Sequence, residues 1–266
     1  MNFNGSRLGF WFNSQNRASK STRVLVFYDP YTYVYVPSDE YIYTNFYSFG
    51  GPGAPTPNTE IWPIIEAREI AAGFQPELVI GYDNLPEDLS VYAHIWDIGY
   101  VSSYAGNPTF DPTNKIVSYI QGGGALFFLG ENKSLNQGPV EPTRWGTIIN
   151  VLDLLGETVS MSANQYYQVT SIIKPQFLIA NNNNIFSIGW PGSYGAIGGG
   201  TIGGGTYMTE PGDPGAPAYS SVMWTTGTLS NAPLGAIISV LDVNFVTAEY
   251  AQYDYIDNII ASLNQR

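Results

Sequence analysis

The sequence predicts an α/β fold in which a mostly parallel sheet is covered by helices on both faces and carries an inserted β-rich lobe. Two observations predict it. Short apolar runs of strand length alternate with segments whose apolar residues recur at helical spacing, which is the pattern of a parallel sheet. A long segment, 157–232, lacks helical periodicity and is rich in Gly and Asn, which favours short strands and long turns.

Five apolar runs predict the core strands. Each run carries an acidic residue at or near its end, and together they cover 23–29, 77–83, 94–99, 125–131 and 234–242. Amphipathic segments between the runs predict the helices. The first of these has Ile61, Ile64 and Ile65 on one face. The other helices are predicted at 85–92, 111–122, 145–155 and 253–263.

Three segments fall outside this alternation. Residues 1–22 form a predicted N-terminal arm that precedes an α/β domain of residues 23–266. Within the domain we predict a Tyr-rich insertion at 31–57, which ends in Gly and Pro residues, and a β-rich insertion at 157–232. We expect the second insertion to form a lobe apart from the main sheet, because its turn-rich pattern does not supply strand–helix–strand units.

Composition and charge exclude several classes of protein. Hydrophobic residues make up 44% of the 266 residues, which excludes wholesale disorder. The net charge is −12, with +4 in residues 1–23 and −16 in the remainder. An acidic body repels nucleic acid and anionic membranes, so neither is an expected partner, whereas the basic arm suits an acidic protein surface. We find no apolar run long enough to span a bilayer and no signal-peptide pattern, which favours a virion or cytoplasmic location.

The supply of metal-binding and nucleophilic side chains is small. The chain has no cysteine and one histidine. A disulfide scaffold, a thiolate metal site, a cysteine nucleophile and a His-rich metal site are therefore excluded. We predict no metal and no cofactor.

Three stretches resemble a known superfamily. They are GGGALFFLGEN (122–132), NVLDLLGE (150–157) and the ending LGAIISVLDVNFVTAEYAQYDYIDNIIASL (234–263). In spacing and texture they resemble the class I glutamine amidotransferase-like superfamily, which implies a flavodoxin-like three-layer sandwich. Active members present a Cys nucleophile in the turn after the fourth strand, where this chain reads Gly130-Glu131-Asn132. Because a carboxylate does not replace a thiolate in that reaction and no His follows His94, the resemblance implies a catalytically silent member.

The acidic residues at the predicted strand ends are candidate site residues. The carboxyl ends of parallel strands converge on the ligand crevice of an open α/β sheet. Clustered carboxylates there can bind Ca²⁺ or Mg²⁺, or act as a general acid and base, but they can equally cap helices and face water. The candidates are Asp29, Asp83, Asp97, Glu131 and Asp242. His94, which opens a strand beside Trp96, is expected to be a packed residue rather than a catalytic base.

Aromatic residues give the strongest indication of function. They make up 15% of the chain against 12% charged residues, and Tyr and Trp suit both protein interfaces and sugar stacking. The interface candidates are Phe10, Trp11, Phe12, Tyr33, Tyr35, Tyr41 and Tyr43. We expect a non-enzymatic structural subunit of a large assembly, a phage or virus particle, whose partners are copies of itself or other structural proteins. The alternative is a carbohydrate-binding protein or glycan-acting hydrolase that uses the carboxylate-lined crevice.

Overall fold

A computed structural model of the chain describes residues 21–28, 61–99, 104, 111–130, 144–160, 166–167, 170–173, 187–189, 193–194, 201–211, 221–241, 244–246 and 252–264. In these residues the core elements are β1 (Arg23–Tyr28), α1 (Trp62–Ala71), β2 (Gln75–Ile80), β3 (His94–Asp97), α2 (Thr113–Gln121), β4 (Ala125–Leu129) and α3 (Arg144–Leu154). Short strands follow: β5 (Tyr166–Tyr167), β6 (Thr170–Ile173), β7 (Ser187–Gly189), β8 (Ser193–Tyr194), β9 (Thr206–Tyr207), β10 (Thr209–Pro211) and β11 (Ser221–Trp224). The chain closes with β12 (Ala236–Val240) and α4 (Tyr253–Leu263), and two 3₁₀ turns span Tyr82–Asn84 and Asn244–Val246.

The main sheet has seven strands in the order β2-β1-β3-β4-β12-β11-β9. The first five are parallel, and β11 is antiparallel to both β12 and β9. From β1 the chain places β2 on one side and β3 on the other, so the order reverses beside β1. This is the topological switch point at which open α/β sheets bind ligands, outside the carboxyl ends of the strands.

Helices cover both faces of this sheet because alternate strand residues point to opposite sides. Val24 and Val26 of β1 belong to a core shared with α1 and α4. Leu25 and Phe27 belong to a second core shared with α2 and α3. The protein is therefore a three-layer α/β sandwich with a mostly parallel sheet, as the sequence predicts.

The connection into the last core strand shows how tightly the layers approach. A Cβ atom added at Gly235, just before β12, would lie 2.5 Å from the carbonyl oxygen of Ile120 in α2. The backbone of α2 cannot move aside to make room for that Cβ atom, as the end of a flexible side chain could. Gly235 therefore lets β12 enter the sheet directly beside α2.

The expectation that 157–232 lies apart from the main sheet is wrong for β9 and β11. The segment is β-rich, and β6, β7 and β10 form a separate three-stranded sheet. However, β9 and β11 extend the main sheet, and β11 is buried along its whole length. The run Ser221–Trp224 is apolar enough to bury both faces, so it adds to the core rather than to a separate lobe.

The helix predicted at 85–92 is also wrong. Leu85, Leu89 and Tyr92 are buried, as the periodicity suggests, but the segment is a loop. The Asp88 carboxylate accepts hydrogen bonds from the backbone N–H and the hydroxyl of Ser90, at 2.8 and 2.6 Å. Such local side-chain bonds compete with a helical ladder, and here they set a turn instead.

The helices in the described ranges are short relative to a bilayer. None of them is long and apolar enough to cross a membrane.

Candidate functional site

The carboxyl edge of the sheet holds a buried polar cluster centred on Asp97. Asp97 ends β3, close to the switch point, and its side chain is 0% exposed. Arg144, the first residue of α3, and Tyr104 meet it from other parts of the chain. We call these three residues the Asp97 cluster.

Three donors converge on the Asp97 carboxylate. Nη1 of Arg144 lies 2.8 Å from Oδ2, and the hydroxyl of Tyr104 donates to the same oxygen at 2.7 Å. The backbone N–H of Gly99 donates to Oδ1 at 3.0 Å. A carboxylate offers roughly four acceptor positions, so the cluster already fills most of them.

Arg144 also ties together the strand ends that surround it. Its Nε donates to the carbonyl oxygen of Leu129, the last residue of β4, at 2.8 Å, and its Nη2 donates to the carbonyl oxygen of Asp97 at 3.2 Å. The guanidinium carbon lies 5.0 Å from the ring centroid of Phe128. One side chain thereby fixes the start of α3 against the ends of β3 and β4.

The electrostatics of the cluster favour a permanently paired state. Burial alone would lower the pKa of Arg144, but the charge and hydrogen bond of Asp97, together with the nearby hydroxyls of Tyr82 and Tyr104, outweigh this and raise the pKa above its usual value. Burial raises the pKa of the Tyr104 hydroxyl well above its usual value, and the nearby Asp97 charge raises it further. Arg144 and Tyr104 therefore keep their protons throughout the physiological range, and neither is a general base there.

A second buried cluster lies at the other end of β3 and on the opposite face of the sheet. Nε2 of His94, the first residue of β3, lies 2.7 Å from Oε1 of Glu69 in α1, and the Trp96 indole N–H donates to the same oxygen at 2.6 Å. All three side chains are fully buried. Oε2 of Glu69 and Nδ1 of His94 have no hydrogen-bond partner among the described residues. Phe74 covers the histidine, with ring centroids 5.1 Å apart.

This placement separates the single histidine from the carboxyl edge of the sheet, where open α/β sheets bind ligands. His94 and Asp97 are three residues apart in one strand, so they differ in height by about 10 Å and point to opposite faces. His94 faces the α1 layer, through its contact with Glu69, as the expectation of a packed histidine requires. Any chemistry at the carboxyl edge has to proceed without an imidazole.

The carboxylates predicted from sequence are placed as follows. Asp83 is exposed in the 3₁₀ turn after β2, where Gly81 takes φ +86° and ends the strand three residues earlier than predicted. Asp97 is buried at the end of β3, and β1 lies between β2 and β3, so the two acids are not brought together. Asp29, Glu131 and Asp242 lie outside the described residues, as do the aromatic candidates Phe10, Trp11, Phe12, Tyr33, Tyr35, Tyr41 and Tyr43.

Two charged residues of these clusters were not predicted from the sequence. Glu69 follows Ile61 and Ile65 at a spacing of four, so it falls on the apolar stripe of α1, and a carboxylate on such a stripe needs a buried donor. Arg144 opens α3, the helix that follows β4 in chain order, and a helix that follows a parallel strand begins at the carboxyl edge of the sheet, within reach of the strand ends. Tyr104 has no comparable sequence pattern.

Metal binding has no support in the described part of the chain. No group of three or more His, Asp or Glu side chains there is arranged to hold an ion.

Comparisons with known proteins identify the fold and leave the family open. No family model matches the chain, and no curated protein matches it in sequence. Among solved structures it is similar to the mmIFT52 N-terminal domain, with a TM-score of 0.54 and 8% identity over 89% of this chain and 93% of that one. It is also similar to β-galactosidase from Bacillus circulans sp. alkalophilus, with a TM-score of 0.50 and 10% identity over 92% of this chain.

The chain spans only 30% of that β-galactosidase, so the likeness concerns one part of a larger protein. Glutamine amidotransferase-like structures are among the further neighbours at low identity, including PurLQS from Thermotoga maritima with a TM-score of 0.47 and 13% identity over 92% of this chain and 98% of that one. Likeness at these identities is a likeness of fold. The strand order β2-β1-β3-β4-β12 of the parallel part is that of a flavodoxin-like sheet.

Proposed function

We propose that the chain is a non-enzymatic structural subunit of a large assembly, a phage or virus particle, and that it contacts copies of itself or other structural proteins. The observation that supports the non-enzymatic part of the proposal is the position of His94. The only histidine of the sequence is buried against Glu69 at the amino end of β3, away from the edge where an amidotransferase-like site would operate.

The remaining catalytic requirements point the same way. The class I amidotransferase reaction needs a thiolate nucleophile and a nearby imidazole base, and the sequence has no cysteine. The turn after β4 begins with Gly130 and continues with Glu131 and Asn132 in the sequence. Asp97, the buried acid at the carboxyl edge, is bound by Arg144 and Tyr104, so it supports the architecture rather than a reaction.

The assembly role is supported by composition. Aromatic residues make up 15% of the chain and charged residues only 12%, and Tyr and Trp suit protein interfaces. The proposed contact residues are Phe10, Trp11, Phe12, Tyr33, Tyr35, Tyr41 and Tyr43. The opposite charges of the arm and the body would steer encounters between copies.

The carbohydrate alternative draws on the same aromatic residues but has less support at the carboxyl edge. A retaining or inverting glycoside hydrolase needs two carboxyl groups facing one bond, about 5–10 Å apart. The two described candidates are one buried ion-paired acid, Asp97, and one exposed acid, Asp83, on strands separated by β1. Carbohydrate binding or hydrolysis is therefore not proposed as a second function, and the experiment described next includes an assay for it.

The test is the oligomeric state of the purified native protein, measured by light scattering across a concentration series. We expect assemblies larger than a monomer that grow with concentration. A strictly monomeric chain would refute the assembly role. Release of ammonia from glutamine, or of sugar from a panel of glycans, would refute the non-enzymatic part, whatever the oligomeric state.

A further inference from the structure

A groove opens between the carboxyl-terminal ends of α1 and α4. It encloses about 330 Å³, which is the small end of the range for pockets that bind organic groups. Its lining is mainly apolar and includes Ala71, Ala72, Phe74, Ile260 and Ala261. We call this feature the α1–α4 groove.

One wall of the groove is fixed by an ion pair. Nε of Arg68 donates to Oδ1 of Asp257 at 2.7 Å, and the second guanidinium nitrogen pairs with the other carboxylate oxygen. The Arg68 guanidinium also lies 5.8 Å from the ring centroid of Tyr253. The groove therefore has a wall that is built before anything binds, which lowers the ordering cost of an occupant.

The N-terminal arm leaves the fold beside this groove. The described chain begins at Ser21, and the carbonyl oxygen of Thr22 accepts a hydrogen bond from the N–H of Gln75 at 2.8 Å. Gln75 is the chain neighbour of Phe74, which lines the groove. Residues 13–20 separate this point from the aromatic triplet Phe10-Trp11-Phe12, and eight residues reach up to about 26 Å, so the triplet is within range of the groove.

The chemistry of the arm matches this part of the surface. Residues 1–20 hold Arg7, Arg17 and Lys20 and no acidic residue. Helix α4 holds Asp254 and Asp257 and no basic residue. Three adjacent aromatic side chains are poorly accommodated by water, whereas the groove offers them apolar carbon, and the charged groups of its lining are the mutually paired Arg68 and Asp257.

We propose that the α1–α4 groove binds the Phe10-Trp11-Phe12 segment of the same chain, so that in the free protein the arm is bound to the surface of its own domain. A short linker gives the arm an effective concentration at this groove in the millimolar range, which favours the chain's own arm over that of a second copy. The inference concerns the isolated chain and holds whether or not the chain enters an assembly.

The direct test uses a fluorescent synthetic peptide of residues 1–20 and a chain that lacks those residues. Fluorescence anisotropy should show saturable binding of the peptide to the shortened chain and at least about tenfold weaker binding to the full chain, whose groove is already occupied. Ala261→Arg in the shortened chain fills the groove, adds a like charge and places an arginine four residues after Asp257, which suits the helix. It should weaken peptide binding at least about tenfold, because charge and volume both oppose the peptide.

Ala67→Arg is the matched control, since Ala67 is exposed on α1 outside the groove lining. It should leave peptide binding unchanged. Equal binding to the Ala261→Arg variant and its parent, or equal binding to the full and shortened chains, would overturn the proposal.

A second measurement needs only the full chain and covers the case in which the shortened chain fails to fold. Trypsin cleavage after Arg7 and Arg17 should be slow in the parent and in Ala67→Arg, and several-fold faster in Ala261→Arg. Protection should not change with protein concentration, because the contact is within one chain. Protection that appears only as concentration rises would assign the groove to the arm of a second copy and overturn the inference as stated.

Discussion

Replacing Arg144 with methionine tests whether the Asp97 cluster is a structural ion pair. Methionine keeps an unbranched side chain of similar length, but it removes the charge and the donors to Asp97 Oδ2, Asp97 O and Leu129 O. The Asp97 carboxylate then stays fully buried without its counter-charge. Breaking a buried pair in this way costs about 3–5 kcal/mol in the free energy of unfolding.

This cost translates into a measurable thermal shift. At about 2.1 cal/mol/K per residue, a chain of 266 residues has an unfolding entropy near 0.56 kcal/mol/K. The expected fall in Tm is therefore about 5–9 °C. Urea denaturation followed by circular dichroism gives the same quantity as a change in midpoint.

Arg68→Met is the matched control, because it breaks an Arg–Asp pair that is partly exposed, with side chains 30% and 25% accessible. Solvent screening limits that pair to about 1 kcal/mol or less. A second variant, Asp97→Asn with Arg144→Met, removes the stranded charge and should recover part of the lost stability. If Arg144→Met costs no more than Arg68→Met, the reasoning about the Asp97 cluster is refuted.

Three further variants test other parts of the fold. Glu69→Ala removes the carboxyl oxygen that the Trp96 indole N–H and Nε2 of His94 share, so it should cost about 2 kcal/mol or more beyond Glu69→Gln in urea denaturation, and equal losses would contradict this. Burial, and then the hydrogen bond to Glu77, raises the pKa of Tyr92 from 10.0 to about 12. The raised pKa in the folded state means that its contribution to stability is present below about pH 10 and lost as the pH rises to about 12. Tyr92→Phe should make Tm less dependent on pH in this window, and an unchanged alkaline loss would count against the assignment. Gly235→Ala should cost about 1–3 kcal/mol, because its Cβ would meet the Ile120 carbonyl, and a midpoint equal to that of the parent would contradict the close approach.

The layered core could be predicted from the sequence because local pattern and burial agree there. The run 125–129 is apolar on both faces and is buried on both faces in β4. The predicted helix at 253–263 has the observed bounds of α4, since its apolar stripe faces the sheet. At 85–92 the apolar side chains are also buried, but the hydrogen bonds between Ser90 and Asp88 give the backbone a turn instead of a helix. Periodicity reports which side chains are buried and cannot by itself report the backbone that buries them.

The candidate site was less predictable because it depends on pairs that are distant in the sequence. Asp97 was identified from its position at a strand end, but its partner Arg144 is 47 residues away. A strand end can present an acid to a ligand or to an arginine, and only the fold decides between them. The two buried atoms without a hydrogen-bond partner, Oε2 of Glu69 and Nδ1 of His94, likewise result from the packing of α1 on β3, which no local sequence pattern specifies.

The edges of the seven-stranded sheet determine how readily a strand from another molecule can pair with it. Among the described residues, one edge is β9, which has two residues, and the other is β2, whose second residue is Pro76. A two-residue strand offers few free backbone groups, and proline lacks the N–H that a pairing strand would need. Neither edge is a good template for a strand from another molecule, so growth of the sheet across chains, the route to amyloid-like fibres, is suppressed. At high protein concentration these two edges of the described sheet therefore favour contact through side chains over pairing of strands between molecules.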